Sequence, residues 1–187
     1  MNPDRELVDA VLANRAGAFE RLVREYQGLV WHIVHRMVRH TEEARELCQE
    51  TFLHVHRTLH QYRHDAALKS WIGRVAYSIA LRHLEKRRLD IAESDLGDDL
   101  DLLDQVDAGF DLEAASADAD LTRHLRKAIE TLPPLPRTLV TLYHLDELSL
   151  AEIGAITGLA NGTIKSHLFR ARLLLRQVLE SRLGAIA

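Results

Sequence analysis

The sequence is short of cysteine, of aromatic residues and of long apolar runs. Cys48 is the only cysteine among 187 residues, which excludes an internal disulfide and a thiolate metal cluster and is typical of a reducing compartment. No run approaches the roughly 18 apolar residues of a membrane span, and the N-terminus lacks the basic start and apolar stretch of a signal peptide. We therefore expect a cytoplasmic protein without membrane insertion, in which Cys48 is a small buried apolar residue.

Positive charge is absent from one long segment. Between Leu89 and Leu121 the sequence has 12 acidic residues and no Lys or Arg, whereas residues 1–88 carry 15 basic and 11 acidic residues and residues 121–187 carry 9 and 5. Self-repulsion favours an extended, poorly packed segment, whose roughly 30 residues span ~30 Å as a coil and ~100 Å when fully extended. The formal net charge of −4 thus conceals two basic pieces joined by an acidic linker.

The alternating pattern of β-strands is also absent, whereas apolar residues recur at helical spacing on both sides of the acidic segment. The sequence predicts an all-α fold of two small helical domains, residues 1–89 and 121–187, joined by a flexible acidic linker over residues 90–120. We expect helices over about 4–13, 17–38, 41–60 and 68–88, and then over about 120–131, 136–144, 149–157 and 163–183.

Two helices near the C-terminus are separated by a short turn. Ser149-Leu-Ala-Glu152 is a capping box, in which the serine hydroxyl and the glutamate carboxylate each bond the backbone of the other residue. The helix that starts there should end near Thr157, with Gly158 in the left-handed conformation, and the next helix should begin near Thr163. Helices joined this tightly are typical of a helix-turn-helix.

The second helix of this pair has an apolar face and a basic face. The apolar stripe consists of Ile164, Leu168, Ala171, Leu175 and Val178. The candidate DNA-contacting residues are Thr163, Lys165, Ser166, His167, Arg170 and Arg172. Short polar side chains at the start of a recognition helix meet base edges, and cations hold phosphates. The alternative is an amphipathic helix with a solvated basic face.

Both domains contain short motifs that occur together in one protein family. The C-terminal domain has Leu132-Pro-Pro-Leu-Pro-Arg137, Leu148-Ser-Leu-Ala-Glu-Ile-Gly154 and Gly162-Thr-Ile-Lys-Ser-His-Leu-Phe-Arg-Ala-Arg172. The N-terminal domain has Ala18-Phe-Glu-Arg-Leu22, Glu43-Ala-Arg-Glu-Leu-Cys-Gln-Glu-Thr-Phe-Leu53, Ser70-Trp-Ile-Gly-Arg-Val-Ala76 and Lys86-Arg-Arg88. The first set resembles region 4, and the second set region 2, of the sigma-70 family of transcription initiation factors. Because the chain has no room for the other regions of larger members, it resembles the extracytoplasmic-function (ECF) group.

The resemblance implies a function and a set of partners. Region 2 is expected to bind the coiled coil of the β′ clamp of core RNA polymerase and to melt the −10 element of promoter DNA. Region 4 is expected to read the −35 element and to touch the β flap, while the acidic linker lies in the RNA exit path of the polymerase. An anti-sigma factor, in this group often anchored in the membrane, is a further expected partner, and no catalytic activity, cofactor or metal is expected.

The resemblance also assigns residues of the first domain. Polymerase binding is assigned to Glu46, Gln49, Glu50 and Leu53. A leucine that points outward among carboxylates is a docking patch under this reading, and otherwise belongs to an ordinary solvated face. Contacts to the −10 element are assigned to Tyr62, Arg63, Trp71, Arg74, Tyr77 and Ser78. Trp71 lies beside the apolar stripe of its helix, so a core position is equally compatible.

Eleven histidines raise a metal-binding alternative. His56, His60 and His64 are spaced by four residues, but no carboxylate–histidine signature accompanies them, and their helix should end near His60. Two further functions differ in class from a sigma factor. A stand-alone helix-turn-helix repressor would need tight operator binding without polymerase. A histidine-rich metal-dependent hydrolase would need a nucleophile, base and ligand set that the sequence does not assemble.

Overall fold

The computed structural model describes residues 3–94 and 117–184, with the side chains of residues 3–89 and 122–180. These residues form helices and no strands, so the predicted all-α class is confirmed. The α-helices are α1 (Pro3–Leu12), α2 (Ala18–Val38), α3 (Thr41–Thr58), α4 (Leu68–Ser94), α5 (Ala117–Glu130), α6 (Pro134–His144), α7 (Leu150–Thr157) and α8 (Asn161–Gly184), and a 3-10 helix over Leu59–Gln61 follows α3. Within this described part of the chain, no helix is long and apolar enough to cross a membrane.

The helix bounds differ most from the expected ones at the two ends of the acidic segment. α4 continues to Ser94, past its expected end at residue 88, and α5 begins at Ala117, before the expected start at residue 120. Both ends of the predicted linker are therefore helical, because Leu and Ala residues next to the acidic side chains support helix formation. The rest of the predicted linker, residues 95–116, lies outside the described residues.

In the N-terminal half, α2 is the central helix, and α3 and α4 pack against it. Its buried face includes Leu22, Val30 and Ile33. Asp4 of α1 accepts a hydrogen bond from the Leu68 backbone N–H over 3.0 Å, at the first residue of α4. Since the first N–H groups of a helix have no partner within the helix, this carboxylate caps α4 and fixes where it begins.

Cys48, predicted to be a buried apolar residue, is half-buried on α3 and packs against this core. Burial raises the pKa of its thiol to about 11. The thiol is therefore neutral at physiological pH and poorly reactive.

The C-terminal half is built around α6, with α5, α7 and α8 packed against it. Its core consists mainly of aliphatic side chains, among them Leu139, Leu142, Ile153 and Ile164. α7 begins with the predicted capping box, in which Glu152 N–H donates to Ser149 Oγ over 3.2 Å and Ser149 N–H donates to the Glu152 carboxylate over 2.9 Å.

The two halves pack against each other and share one core, with α6 against α2 and α7 against α4. Arg137 of α6 is at their junction and is only 1% exposed. Its guanidinium donates to the backbone carbonyls of Arg36 and Met37 in the last turn of α2, and to those of Glu130 and Leu132. Carbonyls in the last turn of a helix lack partners within the helix and lie at its negative end, so a buried cation is well placed there.

Ion pairs surround this buried contact at the edge of the interface. They are His32–Asp146 at 2.6 Å, Arg36–Glu130 at 3.8 Å and Lys69–Glu152 at 4.0 Å. Arg39, in the left-handed conformation just after α2, also donates to the Glu130 and Leu132 carbonyls. The arrangement joins the C-terminal ends of α2 and α5 through guanidinium groups.

Candidate functional site

The exposed face of α3 carries the four residues assigned to polymerase binding. Glu46, Gln49, Glu50 and Leu53 are all exposed. Leu53 is 57% exposed although it is apolar. Ala44, Leu47, Thr51 and Val55 are buried on the opposite face. The burial of that face fixes the orientation of the helix, so a leucine flanked by two carboxylates and an amide is held toward solvent, which suits docking to a basic protein surface.

Ion pairs hold α3 to α4. Glu43 accepts from His83 Nε2 at 3.1 Å and lies 3.7 Å from Arg87 Nη1. This contact links the exposed face of α3 to the helix that carries most of the candidate −10 residues. The two surfaces therefore lie on helices that pack directly against each other.

Four of the candidate −10 residues have side chains with access to solvent. Arg63, Arg74 and Ser78 are exposed, and Trp71 is half-buried. Trp71, Arg74 and Ser78 follow the i, i+3, i+7 spacing of one helical face. Arg82, which the sequence interpretation did not include, extends this face by one turn, and its Nε donates to the Ser78 carbonyl over 3.3 Å. Its spacing of four from Ser78 was the signal for including it.

The other two candidate −10 residues, Tyr62 and Tyr77, are buried, with exposures of 9% and 8%. Tyr77, which the resemblance assigns to the −10 element, therefore faces the core and not the exposed side of α4. α4 is covered by α2 and α3 on one side and by α7 on another, so its buried surface is wider than the single predicted stripe. Burial also raises the pKa of the Tyr77 hydroxyl.

Tyr62 has a supporting position next to Trp71. Its hydroxyl donates to the Ala66 carbonyl, and its ring packs 4.5 Å from the His64 ring and 5.5 Å from the Trp71 ring, measured between centroids. The Tyr62 side chain therefore orders the loop before α4 and supports one side of the tryptophan. It is not itself presented to a ligand in this structure.

α7 and α8 form the predicted helix-turn-helix. Gly158 ends α7 in the left-handed conformation at φ 76°, and its N–H donates to the Gly154 carbonyl. α8 then begins at Asn161, two residues earlier than expected. The predicted apolar stripe of α8 faces the core: Ile164, Leu168, Ala171 and Leu175 are buried and Val178 is half-buried.

The opposite side of α8 is exposed and basic. Thr163, Lys165, Ser166, Arg170 and Arg172 are exposed, and His167 is half-buried. The Nε atoms of Arg170 and Arg172 donate to helix carbonyls one turn back, each over 3.3 Å. These bonds hold the Nε atom of each arginine along the helix. The two Nη atoms of each guanidinium remain available to a ligand. The helix thus presents short polar groups and cations together, as a DNA-reading helix requires.

Phe169 is part of this surface although the sequence interpretation did not include it. Its side chain is 59% exposed, and it lines a shallow surface depression together with Lys165, Ser166 and Arg170. A phenylalanine this exposed adds little to the folded core, whereas apolar contact of phenylalanine with a thymine methyl is a known form of base reading. Phe169 follows Ser166 by three residues and Lys165 by four, and this helical spacing in the sequence already places it on the same face as those two residues.

The histidines considered for metal binding do not converge. His56 packs edge-on against Phe19, with ring centroids 4.7 Å apart, and His64 packs against Tyr62. In the parts of the chain that the structure describes, no group of three potential metal ligands lies close together.

Comparison with protein-family models gives matches in both halves. The model "Sigma-70 region 2" matches residues 22–89, and the model "Sigma-70, region 4" matches residues 122–175. The first contains the α3 face and most of α4, and the second contains the helix-turn-helix. The two matches are in the order that the sequence motifs indicated.

Whole-length relatives match across both halves. RNA polymerase sigma-H factor of Pseudomonas aeruginosa is 31% identical over 173 residues, which are 90% of each chain. ECF RNA polymerase sigma-E factor of Escherichia coli is 33% identical over 175 residues, also 90% of each chain. ECF RNA polymerase sigma factor SigW of Bacillus subtilis is 29% identical over 166 residues, 87% of this chain and 89% of the relative.

Two solved structures share the fold. CnrH in complex with the cytosolic domain of CnrY superposes with a TM-score of 0.65 at 18% identity, over 96% of this chain and 99% of CnrH. The sigma factor RpoE in complex with the anti-sigma factor NepR from Bartonella quintana gives a TM-score of 0.67 at 20% identity, over 88% and 98%.

Proposed function

The chain belongs to the extracytoplasmic-function group of the sigma-70 family, and from this premise we propose how its two halves divide the work of initiation. As a sigma factor of this group it directs core RNA polymerase to specific promoters. Residues 1–89 bind the polymerase and open the −10 element, and residues 121–187 read the −35 element. The protein acts in the cytoplasm through binding and not through catalysis.

The α3 face is the polymerase-binding surface. Its carboxylates at Glu46 and Glu50 and the exposed Leu53 offer charge and an apolar contact to the coiled coil of the β′ clamp. Partly exposed carboxylates of this kind steer and orient a partner more than they add affinity. Leu53 supplies the apolar contact that the carboxylates lack.

The face of α4 around Trp71 and Arg74 contacts the −10 element. Melting requires that lost base stacking be replaced, and one stacked aromatic side chain contributes about 1–3 kcal/mol per base. Trp71 is the aromatic group with partial exposure on this face, and Arg63, Arg74 and Arg82 supply cations for the phosphates. Tyr62 supports Trp71 from behind.

α8 is the −35 reading helix. Thr163, Lys165, Ser166 and His167 lie at its N-terminal end, which enters the major groove in helix-turn-helix proteins, and Arg170 and Arg172 follow one turn later. The same half is expected to touch the β flap. The observation that carries the whole proposal is that both family matches contain an exposed face of the required chemistry on a helix whose other face is buried.

An anti-sigma factor is a further partner. A protein of the same fold, the sigma factor RpoE, was solved in complex with the anti-sigma factor NepR, and another, CnrH, was solved in complex with the cytosolic domain of CnrY. We expect the partner of this chain to cover its polymerase-facing surfaces, and in this group such partners are often anchored in the membrane.

In vitro transcription tests the proposed function. Purified chain is combined with core polymerase and fragmented genomic DNA from the source organism. Run-off products that share upstream −35 and −10 elements are expected, and they should be absent without the chain. Tight operator binding by the chain alone, with no polymerase-dependent product, would show instead a stand-alone repressor.

Variants of the α3 face test the polymerase contact. Glu46→Ala with Glu50→Ala is expected to weaken binding to core polymerase in a pull-down at least fivefold while the helical circular dichroism stays unchanged. Glu6→Ala with Asp9→Ala removes the same charge from exposed positions of α1 and is the control. Equal binding by both double variants would contradict the assignment.

Arg170→Ala tests the −35 surface. Loss of a base or phosphate contact of about 1–3 kcal/mol should lower promoter-specific transcription about tenfold, with little effect on polymerase binding. Arg126→Ala, an exposed arginine of α5, is the control in the same half. Undiminished output from Arg170→Ala would remove this residue from the reading surface.

A further inference from the structure

One carboxylate of α1 contacts the first residue of α4. Leu7 and Val8 of α1 are buried in the core, and Asp4, one helical turn before them, is half-buried. One oxygen of Asp4 accepts from the Leu68 N–H over 3.0 Å, and the other accepts from the Tyr26 hydroxyl over 3.4 Å. The match to region 2 begins at residue 22, so α1 precedes the part of the chain that this family model describes.

The loop over residues 62–67, just before α4, is held at both of its ends. α1 packs on the 3-10 helix before the loop and, through Asp4, binds the first residue after it. Within the loop, the Tyr62 hydroxyl donates to the Ala66 carbonyl. His64 has the left-handed conformation at φ 60°, which a residue with a side chain keeps only where surrounding contacts hold it. The shape of the loop therefore depends on α1 as well as on its own side chains.

Trp71 lies in the first turn of α4, so its position depends on where that helix begins. Its backbone N–H donates to the Ala67 carbonyl over 3.2 Å. The Leu68 N–H has no partner within the helix, because the first N–H groups of a helix never do. Without the Asp4 carboxylate this N–H must turn to water, and the first turn loses its cap. Trp71 then loses the fixed orientation that a stacking contact with a base requires.

We propose that Asp4 is a positioning residue for promoter opening, which fixes the first turn of α4 and thereby the orientation of Trp71 toward the unpaired bases of the −10 element. This inference rests on the proposed function. It gives α1 a role in DNA melting and not in polymerase binding, since the polymerase-binding face is on another helix, α3.

Permanganate footprinting of unpaired thymines measures promoter opening by Asp4→Ala. Wild type and variant are combined with core polymerase and a promoter taken from the run-off products. Asp4→Ala is expected to form about fivefold less open complex, because loss of one N-terminal cap shifts an equilibrium by about that factor. Its binding to core polymerase in a pull-down should equal that of wild type. Asp9→Ala, which removes an exposed carboxylate from the same helix, is the control and should open the promoter as wild type does.

Two further measurements separate positioning from a general loss of folding. A heteroduplex promoter whose −10 segment is already unpaired does not need to be melted, so the difference between Asp4→Ala and wild type should disappear on it. A chain that had lost its fold would be inactive on both templates. Asp4→Asn keeps an oxygen that accepts from the Leu68 N–H, so this variant should retain most of the opening activity on duplex DNA.

Wild-type opening by Asp4→Ala overturns the inference. A defect of equal size on duplex and heteroduplex promoters also overturns it, and so does an equal loss in Asp4→Asn and Asp4→Ala. If circular dichroism shows that Asp4→Ala does not fold, Tyr62→Phe removes the other hydrogen bond of the loop. It should show the same loss on duplex DNA and the same recovery on the heteroduplex, and wild-type opening by it overturns the inference. Failure of wild type to open any promoter with core polymerase overturns instead the proposed function.

Discussion

At the scale of single residues, Arg137 combines full burial with a full charge. Desolvation, and then the neighbouring Arg39 and Arg36, lower the pKa of its guanidinium to about 9, so it stays charged at neutral pH. It holds carbonyls from two helix ends because a guanidinium donates in several directions within one plane. A lysine has the charge without this geometry.

Arg137→Lys is therefore expected to destabilise the protein. Loss of two or more charge-assisted hydrogen bonds in a buried position should lower the free energy of unfolding by about 2 kcal/mol. Urea denaturation followed by circular dichroism measures the change. Arg176→Lys, an exposed i,i+4 partner of Glu180, should leave the midpoint where it is. Equal midpoints for all three proteins would mean that the carbonyl contacts of Arg137 contribute nothing.

The exposed ring of Phe169 allows a test, at one residue, of whether α8 reads a base through an apolar contact. If its exposed ring contacts a thymine methyl, replacing that thymine by uracil removes one buried methyl, about 0.8 kcal/mol or fourfold in promoter competition. We expect wild type to show this loss at one thymine of the −35 element, and Phe169→Ser to show none. Each thymine is replaced in turn, and an identical uracil profile for the two proteins would exclude the contact.

At the scale of elements, α7 depends on its capping box. Ser149 and Glu152 satisfy backbone groups that the eight-residue helix Leu150–Thr157 leaves without partners, and the hydrogen bonds from Ser149 lower the pKa of Glu152. A helix this short has few bonds of its own, so its first turn matters to the whole helix-turn-helix.

Ser149→Ala is expected to lower the free energy of unfolding by about 1 kcal/mol. Ser166→Ala makes the same chemical change at an exposed position within α8 and should have little effect on stability. Thermal or urea unfolding of wild type and of the two variants measures these changes in the free energy of unfolding. Because the pKa of Glu152 is lower in the folded state, its contribution is present above its unfolded pKa of about 4.5 and is lost as pH falls through the folded value. A similar loss in both variants would argue against the cap.

At the scale of the whole molecule, the packing of the two halves on each other is coupled to protonation of the His32–Asp146 pair. The hydrogen bond with Asp146 raises the pKa of His32, against the opposing effects of burial and Arg36. Since this pKa is higher in the folded chain than in an exposed histidine, the pair stabilises the packing of the two halves fully below about pH 6.5. That contribution is lost as pH rises through the raised pKa. His35, whose pKa is lowered mainly by burial and next by Arg36, acts in the opposite direction.

The radius of gyration from small-angle X-ray scattering measures this coupling. Asp146→Asn removes the charge that raises the pKa of His32 and leaves His35 in place. Between pH 6 and pH 8 wild type should expand more than Asp146→Asn does. Identical pH profiles for the two proteins would show that the His32–Asp146 pair does not hold the two halves together.

Local features of the sequence were enough to determine the helices and several of their faces. The capping box at Ser149 and the glycine at 158 act within a few residues, so the bounds of α7 follow from them alone. The exposed face at Glu46 and Leu53 and the buried stripe at Ile164 also follow, because the helical period decides which residues share a side. The promoter-binding and polymerase-binding roles were inferred from the family motifs and not from the helical period of the sequence.

Only the tertiary structure decided which faces are covered. Tyr77 is buried on α4, a helix on which α2, α3 and α7 all pack, and Arg137 is buried because α2 ends where α6 begins. The period of apolar residues within one helix does not indicate which other helices pack on it. Phe169 is exposed for the same reason, since none of the helices that the structure describes covers that side of α8. Local sequence fixes the direction of a side chain, but its burial depends on partners that only the folded chain brings together.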